Sequence, residues 1–366
     1  MYAARLLESL QQHPEIEEIA VVGHRRVVAA EDVLDRSRAN TSPWSLPYTL
    51  GRRGIPFCRP IANWIRGRAI IGQLRRGGWT LFHEPNYVSP PLDAPLVTTV
   101  CDISYARHPE YLPRDRQRWL ATKMEPCLRR SAAVITISQF VRNEILDAFP
   151  WLDEKRLFVT PLGVDHTEFH PHIDPSAIDE VRRRWQLPPQ FVLYLGTLEP
   201  RKNVKGLLDG YSLLPRELQQ EFPLVVAGAT GWRKQGFWRQ LDGLCSTGMA
   251  RRIGYVDVAH VPSLMSAATV FCFPSIYEGF GLPPLEAAAC GTPVICGAAA
   301  AVPEVMGDAA AYVDPLDPQN IAAGLENLLR DEGQRRQLGQ RGIKRAAEFS
   351  WKRCAEATLA CYRAVV

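Results

Sequence analysis

Residues 273–293 read FPSIYEGFGLPPLEAAACGTP and carry the strongest structural signal in the chain. The apolar beginning reads as the end of a strand, and Pro283 and Pro284 suit the first turn of a helix. Gly291 suits the end of that helix. Residues 279–282 then lie at a helix N-terminus, where outward-pointing backbone amides and the helix dipole favour an anion such as a phosphate. The spacing alone fits an ordinary strand, turn and helix equally well.

Apolar strands alternate with helical patterns on both sides of this stretch. Continuous apolar strands separated by helices predict parallel sheets that are covered on both faces. Prolines and histidines between residues 161 and 175 predict a linker between two such α/β units. We therefore predict two Rossmann-like doubly wound domains, with a ligand site in the cleft between the carboxyl ends of their strands. The predicted strands are residues 19–23, 81–83, 96–101 and 133–138 in the first unit, and 191–196, 224–228, 253–255, 270–273, 294–296 and 311–313 in the second.

Length and composition exclude several classes of protein. The chain has 366 residues, which predicts two domains at about 150 residues each. Hydrophobic residues make up 46% and charged residues 22%, which excludes a disordered, collagen-like or coiled-coil chain. Nine cysteines without C-x-x-C spacing argue against a disulfide framework or a zinc site and fit a reducing cytoplasm. We expect no signal peptide, and glycines and prolines prevent the longest apolar stretch, residues 287–303, from crossing a membrane.

The net charge of +4 lies entirely in the first half of the chain and is too mild for a dedicated nucleic-acid binder. Residues 1–165 contain 22 Lys and Arg against 18 Asp and Glu, whereas the remainder contains 21 of each. Residues 51–83 contain seven arginines, interleaved with aromatic and branched apolar residues, and no acid. This segment either rests on an anionic membrane or is a solvated loop with snorkelling arginines. The first alternative predicts a cytoplasmic protein bound peripherally at the inner face of the cytoplasmic membrane.

The spacing of Glu278 and Glu286, an E-x7-E element within PS-x-YEGFGLPPLEA-x-ACGTPVI, resembles the signature of the family 4 glycosyltransferases. Further segments resemble that family in the same order, so the resemblance extends over nearly the whole chain. It implies the GT-B fold, with an N-terminal acceptor-binding domain at residues 1–168 and a donor-binding domain at residues 169–349. It also implies that a closing helix, residues 350–366, packs back on the first domain. The further segments are AVITISQFVRNEI (133–145), PLGVD (161–165), FVLYLGTLEPRKN (191–203) and FSW (349–351).

The resemblance implies a binding site for a nucleotide sugar in the second domain. Glu286 would contact the ribose, and Glu278 would lie near the transferred sugar. Lys202 would hold the diphosphate together with Arg201, since Thr197 stands where the family usually has an arginine. Because these cations and backbone amides would carry the negative charge, and no D-x-D triplet is present, we expect neither a metal ion nor another cofactor. The predicted donor-binding residues are Gly196, Thr197, Arg201, Lys202, Val256, Glu278, Gly279, Phe280, Gly281, Leu282 and Glu286.

The acceptor site is predicted at the strand ends of the first domain. The segment LFHEPNYVSP resembles a family loop that faces the cleft, which makes His83, Glu84 and Asn86 candidate acceptor contacts, although a lone histidine is more often structural. The segment VCDISYARHPEYLP resembles a loop in which the family commonly has His-Asp. Here Cys101 replaces the histidine and Asp102 remains, and a cysteine cannot supply the same neutral donor or cation. The predicted catalytic residues are Glu278, Lys202, Arg201 and Asp102, and the predicted acceptor-binding residues are His83, Glu84, Asn86, Cys101 and Asp102.

The N-terminus departs from the family pattern. Residues 1–11 resemble the family's first helix directly, without the strand and glycine-rich loop that usually precede it. The first strand of a doubly wound sheet lies in its middle, so its loss would leave unpaired backbone groups. We therefore hypothesise that the first strand is missing because the start was placed too late or the chain is truncated.

Together these features predict a retaining glycosyltransferase that moves a hexose from a nucleotide-diphosphate sugar to a glycan or lipid-linked acceptor in bacterial surface polysaccharide synthesis. The segment GTLEPRKN, residues 196–203, most resembles transferases of GDP-mannose. Cys101 and the missing first strand motivate an alternative, a non-catalytic nucleotide-sugar-binding subunit. A third alternative is another enzyme of the same fold, an epimerase or a phosphorylase. The E-x7-E loop argues against either of these two enzymes.

Overall fold

The structure, a computed structural model, describes residues 2–22, 27–29, 79–89, 95–229 and 235–366 of the chain. Most of these residues belong to two parallel sheets and the helices that cover them. A separate pair of short antiparallel strands lies near the N-terminus. The basic segment at residues 51–83 lies outside the described residues except for its last five positions.

The elements are numbered in chain order over the described residues. The strands are β1 (Ala20–Val22), β2 (Val27–Ala29), β3 (Phe82–Glu84), β4 (Leu96–Val100), β5 (Ala133–Thr136), β6 (Leu157–Val159), β7 (Val192–Leu195), β8 (Leu224–Ala227), β9 (Ala250–Gly254), β10 (Val270–Phe273), β11 (Val294–Gly297) and β12 (Ala311–Val313). The helices are α1 (Tyr2–Gln11), α2 (Ser104–Arg107), α3 (Arg114–Arg130), α4 (Gln139–Ala148), α5 (Pro175–Trp185), α6 (Val204–Ser212), α7 (Arg216–Glu221), α8 (Gln235–Ser246), α9 (Val261–Ala267), α10 (Leu282–Ala289), α11 (Val302–Met306), α12 (Pro318–Arg330), α13 (Glu332–Ala346) and α14 (Trp351–Arg363). Short 3-10 turns span Pro109–Tyr111, Glu154–Arg156, Pro200–Lys202 and Val258–His260.

The C-terminal sheet, which we call the donor sheet, has the strand order β12-β11-β10-β7-β8-β9, with all neighbours parallel. The chain therefore winds outward from β7 in one direction and from β10 in the other, which is the doubly wound arrangement that the sequence predicts. One apolar cluster lies on each face of this sheet. The point where the winding reverses lies between β7 and β10, and ligands of such sheets bind at its carboxyl edge.

The N-terminal sheet, the acceptor sheet, has the parallel order β3-β4-β5-β6, and β3 is an edge strand within the described part of the chain. Helix α3 and helix α4 cover one face through an apolar cluster. The closing helix α14 packs against β5 and β6 on the other face, where Cys361 contacts Val97 and Ile135. A bridge between Val164 and Ser350 fixes the start of that helix beside the linker.

Three strands differ from the sequence prediction. Strand β9 is predicted at residues 253–255 but begins at Ala250, and β2 and β6 are not predicted at all. Strands β6 and β9 are edge strands of their sheets, so part of each remains exposed, and β6 is an apolar run of only three residues. In β9 the exposed Arg251 and Arg252 interrupt the pattern. No helix among the described residues is long and apolar enough to span a membrane.

Candidate functional site

Two loops meet at the reversal point of the donor sheet. One follows β7 and ends at Asn203, and the other follows β10 and ends where α10 begins. The backbone N–H of Ile276 donates to the carbonyl oxygen of Arg201 at 2.8 Å and joins the two loops. Parallel neighbours end at the same edge of the sheet, so these loops bring together predicted donor residues that are about 75 positions apart in sequence.

A buried ion cluster lies between the two loops. The Nζ of Lys202 lies 2.5 Å from Oε1 of Glu278, and Nη1 of Arg201 lies 3.1 Å from Oε2 of the same carboxylate. Arg201 also pairs through Nε with Glu199 at 3.3 Å. Lys202 is only 9% exposed and Glu278 only 7%, so these charges lie at the bottom of the crevice. The next residue, Asn203, adopts a left-handed conformation (φ 54°). It ends the Pro200–Lys202 turn and caps the N-terminus of α6.

Burial and pairing act against each other on these groups. Burial lowers the pKa of Lys202, although the carboxylate of Glu278 opposes this effect. Burial alone would raise the pKa of Glu278, but the charges of Lys202 and Arg201 outweigh it and hold that pKa below its ordinary value. Glu278 is therefore an anion whose charge opposes the effect of burial on Lys202. The cluster therefore holds two cations and two carboxylates: Lys202 and Arg201 share Glu278, and Arg201 also pairs with Glu199.

The loop before α10 offers backbone donors beside this cluster. Gly281 has φ 100°, which only glycine adopts without strain, and Pro283 follows in the first turn of α10. The backbone N–H groups of Phe280, Gly281 and Leu282 donate no hydrogen bond to any described residue. Such free donors at a helix N-terminus are suited to bind an anion.

Glu286 lies one turn into α10, with 7% of its surface exposed. Burial raises the pKa of its carboxyl to about 8, and the nearby Glu168 adds to the effect while Arg5 opposes it. The carboxyl accepts no hydrogen bond from the described residues. Arg5 is engaged elsewhere, since it pairs with Asp165 at 2.8 Å and with Glu168 at 2.7 Å. Glu286 therefore keeps its oxygen atoms available to hydroxyl donors.

The remaining predicted donor residues lie at neighbouring strand ends. The backbone N–H of Gly196 donates to Ala227, and Thr197 next to it has an exposed side chain. The side chain of Val256 is 5% exposed and belongs to the core cluster, so only its main chain could contact a ligand. The backbones of Gly196 and Gly228 approach so closely that a Cβ on Gly228 would lie 1.9 Å from the Gly196 carbonyl oxygen.

Two of the predicted acceptor residues directly face the loop between β10 and α10, which we call the donor loop. A Cβ placed on Gly279 would lie 1.9 Å from the carbonyl oxygen of Cys101 and 3.3 Å from the Cβ of Asp102. Asp102 accepts a hydrogen bond from the backbone N–H of Ser104 at 2.9 Å through Oδ1. Burial raises the pKa of the Cys101 thiol to about 12, with a further contribution from Asp102, so the thiol stays neutral. The structure thus brings Asp102 across the cleft from the ion cluster.

His83 has both ring nitrogens occupied by the protein. Its Nδ1 lies 2.6 Å from the hydroxyl of Tyr362, and its Nε2 lies 2.7 Å from the hydroxyl of Thr99. Burial lowers its pKa to about 4, so the ring is neutral. In this arrangement His83 connects β3 to α14, which is a structural role, and its contact with an acceptor stays a prediction.

Glu84 and Asn86 lie at and beyond the carboxyl end of β3, at the edge of the acceptor sheet that also carries Asp102. The carboxylate of Glu84 accepts the backbone N–H of Asn86 at 3.0 Å. Burial raises the pKa of Glu84 to about 7. Contact of these two residues with an acceptor stays a prediction.

Sequence reasoning missed the residues that hold the two sheets together at the site. The hydroxyl of Ser138 donates to the carbonyl oxygen of Gly279 at 2.7 Å. The hydroxyl of Tyr277 donates to Glu144, which lies 133 positions earlier. Tyr277 stands inside the stretch quoted first, but its partner is chosen only when the two domains pack together.

Two family profiles together match most of the chain. The family described as "Glycosyl transferases group 1" matches residues 175–345, and the family described as "Glycosyltransferase Family 4" matches residues 16–168. The first match contains the donor sheet, and the second contains the acceptor sheet.

Similar proteins include bacterial mannosyltransferases. The chain is 37% identical to "O-antigen chain mannosyltransferase B" of Escherichia coli over 79% of this chain and 77% of that protein. It is 33% identical to "Serotype-specific mannosyltransferase WbdA" of the same species over 75% of this chain. It covers only 34% of that longer relative.

Solved structures confirm the fold. WaaG, described as a glycosyltransferase involved in lipopolysaccharide biosynthesis, aligns with a TM-score of 0.67 and 18% identity over 83% of this chain and 82% of that one. HepE of Anabaena, solved with UDP and glucose, aligns with a TM-score of 0.66 and 18% identity over 80% and 81%. With a mannosyltransferase 37% identical over most of both chains and with both domains matched, this chain belongs to glycosyltransferase family 4 and is a glycosyltransferase of the GT-B fold.

Proposed function

We propose that this glycosyltransferase moves a hexose, with mannose the first candidate, from a nucleoside-diphosphate sugar to a glycan or lipid-linked acceptor in surface polysaccharide synthesis. The observation that carries the proposal is the buried cluster of Lys202, Arg201 and Glu278 at the reversal point of the donor sheet, facing Asp102. The choice of mannose rests on the names of the E. coli relatives.

The diphosphate of the donor would bind at this cluster and at the free amides before α10. When the bond between sugar and phosphate breaks, negative charge grows on the departing diphosphate. Lys202, Arg201 and the amide of Gly281 would stabilise that charge through charge-assisted hydrogen bonds of about 1.5–3 kcal/mol each. We propose that these groups supply the positive charge that a divalent metal ion supplies at other phosphate sites, so that transfer needs no metal.

The nucleoside would bind along the neighbouring strand ends. Glu286 is suited to accept hydrogen bonds from the ribose hydroxyls, because its carboxyl has no donor among the described residues. The backbone near Gly196 and Val256 would contact the base, since the side chain of Val256 is in the core. These contacts would place the sugar between Glu278 and Asp102.

We propose transfer with retention at the front face of the sugar. The bond between the anomeric carbon and the phosphate oxygen breaks, and the acceptor hydroxyl oxygen bonds to that carbon on the same face. The acceptor's proton moves to the departing phosphate oxygen, so no protein base is required. Cys101 would not take part in the proton transfer, because burial raises the pKa of its thiol above the ordinary value and keeps it neutral.

Contact with an anionic membrane is a separate part of the proposal and rests on charge pattern. The seven arginines of residues 51–83 precede, in sequence, the strand that ends at Glu84, which is a predicted acceptor residue. Each basic residue near an anionic surface contributes about 1 kcal/mol. Sedimentation with anionic and with neutral vesicles tests this: binding that ignores lipid charge and salt concentration would contradict it.

The function is tested by incubating the purified chain with GDP-mannose and other nucleoside-diphosphate sugars and an oligosaccharide acceptor, with and without a metal chelator. We expect a glycosylated product whose anomeric configuration, read by NMR, matches that of the donor. Glu278→Ala should abolish product formation. If the wild-type chain binds a nucleoside diphosphate in a thermal-shift assay but neither transfers nor hydrolyses the donor, the alternative of a non-catalytic binding subunit holds instead.

A further inference from the structure

The phenol of Tyr277 spans the cleft between the two sheets. Its hydroxyl lies 2.5 Å from Oε2 of Glu144 in α4, and it accepts the backbone N–H of Ile103 at 3.3 Å. The ring lies between His108, with ring centroids 4.9 Å apart, and Phe140, with centroids 6.0 Å apart. Only 2% of Tyr277 is exposed, so a donor-loop side chain is buried in the acceptor domain.

The main chain of the same residue belongs to the ion cluster. The carbonyl oxygen of Tyr277 accepts from Nη1 of Arg201 at 3.3 Å, and the next residue is Glu278. On the other side of the cleft, Ile103 directly follows Asp102. Tyr277 therefore connects the predicted cations of the donor site with the predicted aspartate of the acceptor site through two hydrogen bonds.

The phenol is held as a proton donor. Burial raises the pKa of Tyr277 far above its ordinary range, and the hydrogen bond to Glu144 adds to the effect. Glu144 is itself fixed, since Nε of Arg107 lies 3.5 Å from its Oε1. Burial raises the pKa of Glu144, and the hydrogen bond from Tyr277 and the charge of Arg107 oppose this effect. The neutral phenol is therefore the donor of this hydrogen bond, and the Glu144 carboxyl group is its acceptor.

We propose that Tyr277 is a positioning residue for sugar transfer: its phenol, held by Glu144 and Ile103, sets the distance between Asp102 and the Arg201–Glu278 pair. This inference rests on the function proposed above. Nucleotide binding uses groups of the donor domain alone and does not need that distance, whereas transfer to an acceptor does. A misplacement of about 1 Å can cost roughly a hundredfold in rate.

Tyr277→Phe tests the proposal, with Tyr312→Phe as the matched control. Phenylalanine keeps the ring packing and removes only the hydroxyl. In the control, the hydroxyl of Tyr312 donates to the carbonyl oxygen of Gly307 at 2.6 Å, so both partners belong to the donor domain. We expect kcat for transfer to fall about tenfold to a hundredfold in Tyr277→Phe. The dissociation constant for the nucleoside diphosphate should stay within about threefold, and the fraction of donor lost to water should rise, while the control matches wild type.

A second pair of variants separates positioning from folding. Glu144→Gln keeps an oxygen that accepts the hydrogen bond of the Tyr277 hydroxyl, so it should retain most of the transfer rate. Glu144→Ala should reproduce Tyr277→Phe, and the double variant should be no slower than either single variant. A Tyr277→Phe protein with the kcat and hydrolysis fraction of Tyr312→Phe would overturn the inference, as would parallel losses of nucleotide affinity, melting temperature and kcat. A wild-type chain that binds nucleotide and transfers no sugar would overturn the proposed function and this inference with it.

Discussion

Replacing Lys202 with methionine removes one cation from the buried cluster and keeps the length of the side chain. At the observed 2.5 Å, opposite unit charges attract by about 7 kcal/mol at an effective dielectric constant of about 20. The measured cost of removing one member of a buried pair is smaller, about 3–5 kcal/mol of unfolding free energy. We expect the low end of that range, because Arg201 remains 3.1 Å from Glu278 and partly neutralises it.

The effect on donor binding should be specific for phosphate. A lost charge-assisted hydrogen bond of about 1.5–3 kcal/mol corresponds to roughly a tenfold to 150-fold weaker affinity for the nucleoside diphosphate. The affinity for the nucleoside without phosphates should not change, because the proposed nucleoside contacts lie at Glu286 and the strand ends rather than at Lys202. Isothermal titration of both ligands measures this difference on one protein preparation.

Two variants control for misfolding. Lys205→Met removes an exposed lysine three positions on, which pairs with Asp209 at 2.5 Å on the surface of α6, and should leave affinity and stability unchanged. In the double variant Lys202→Met/Glu278→Gln, the buried carboxylate that lost its lysine is neutral, while Arg201 keeps Glu199 as its ionic partner. This variant should therefore be at least as stable as Lys202→Met alone, without regaining affinity. Wild-type affinity of Lys202→Met for the diphosphate, or an equal loss for the nucleoside, would refute the role assigned to the cluster.

Three further changes give readouts of their own. Burial raises the pKa of Glu286 to about 8, so between about pH 4.5 and pH 8 its carboxyl ionises in the unfolded chain but stays protonated in the folded one, and wild-type stability falls across that interval. Glu286→Gln lacks this loss. Its stabilisation relative to wild type, measured by thermal denaturation, should therefore grow from about pH 4.5 to pH 8 and level off above it. Gly279→Ala places a Cβ 1.9 Å from the carbonyl oxygen of Cys101, which should push the two domains apart and lower the transfer rate. An unchanged transfer rate together with an unchanged small-angle scattering profile would count against this close approach. His83→Phe leaves the hydroxyl of Tyr362 without its partner and should cost about 1–3 kcal/mol at pH 7.5 by chemical denaturation. Burial lowers the pKa of His83 to about 4, so wild-type stability falls as the pH drops from about 6.5 to 4, and the variant should lack that loss.

Local patterns were enough to predict much of the donor domain. The prolines after Gly281 and the glycine at position 291 mark both ends of α10, and both glycines have the positive φ that such positions require. Buried strands such as β7 and β10 are uninterrupted apolar runs, because helices cover both faces of the sheet. Each of these signals depends on residues within a few positions of one another.

The start of β9 and the partners across the cleft could not be predicted in the same way. The exposed arginines of β9 interrupt its apolar pattern, although the strand pairs with β8 from Ala250 to Gly254, with one shift of register. The sequence makes His83 a candidate acceptor contact, but its ring nitrogens are bonded to Thr99 and to Tyr362, which lies 279 positions later. A single sequence contains no local signal for such a pairing.

The amino-acid sequence by itself determined the two parallel α/β domains, the phosphate-suited loop before α10 and the pair of cations at Arg201 and Lys202. Only the tertiary structure decided that both cations pair with Glu278, that Asp102 faces this cluster, and that Tyr277 joins the two domains. The physical reason is that periodicity, glycine conformation and helix capping are short-range properties of the chain. A buried charge or hydroxyl, in contrast, must find its partner among whatever groups packing brings within about 3 Å.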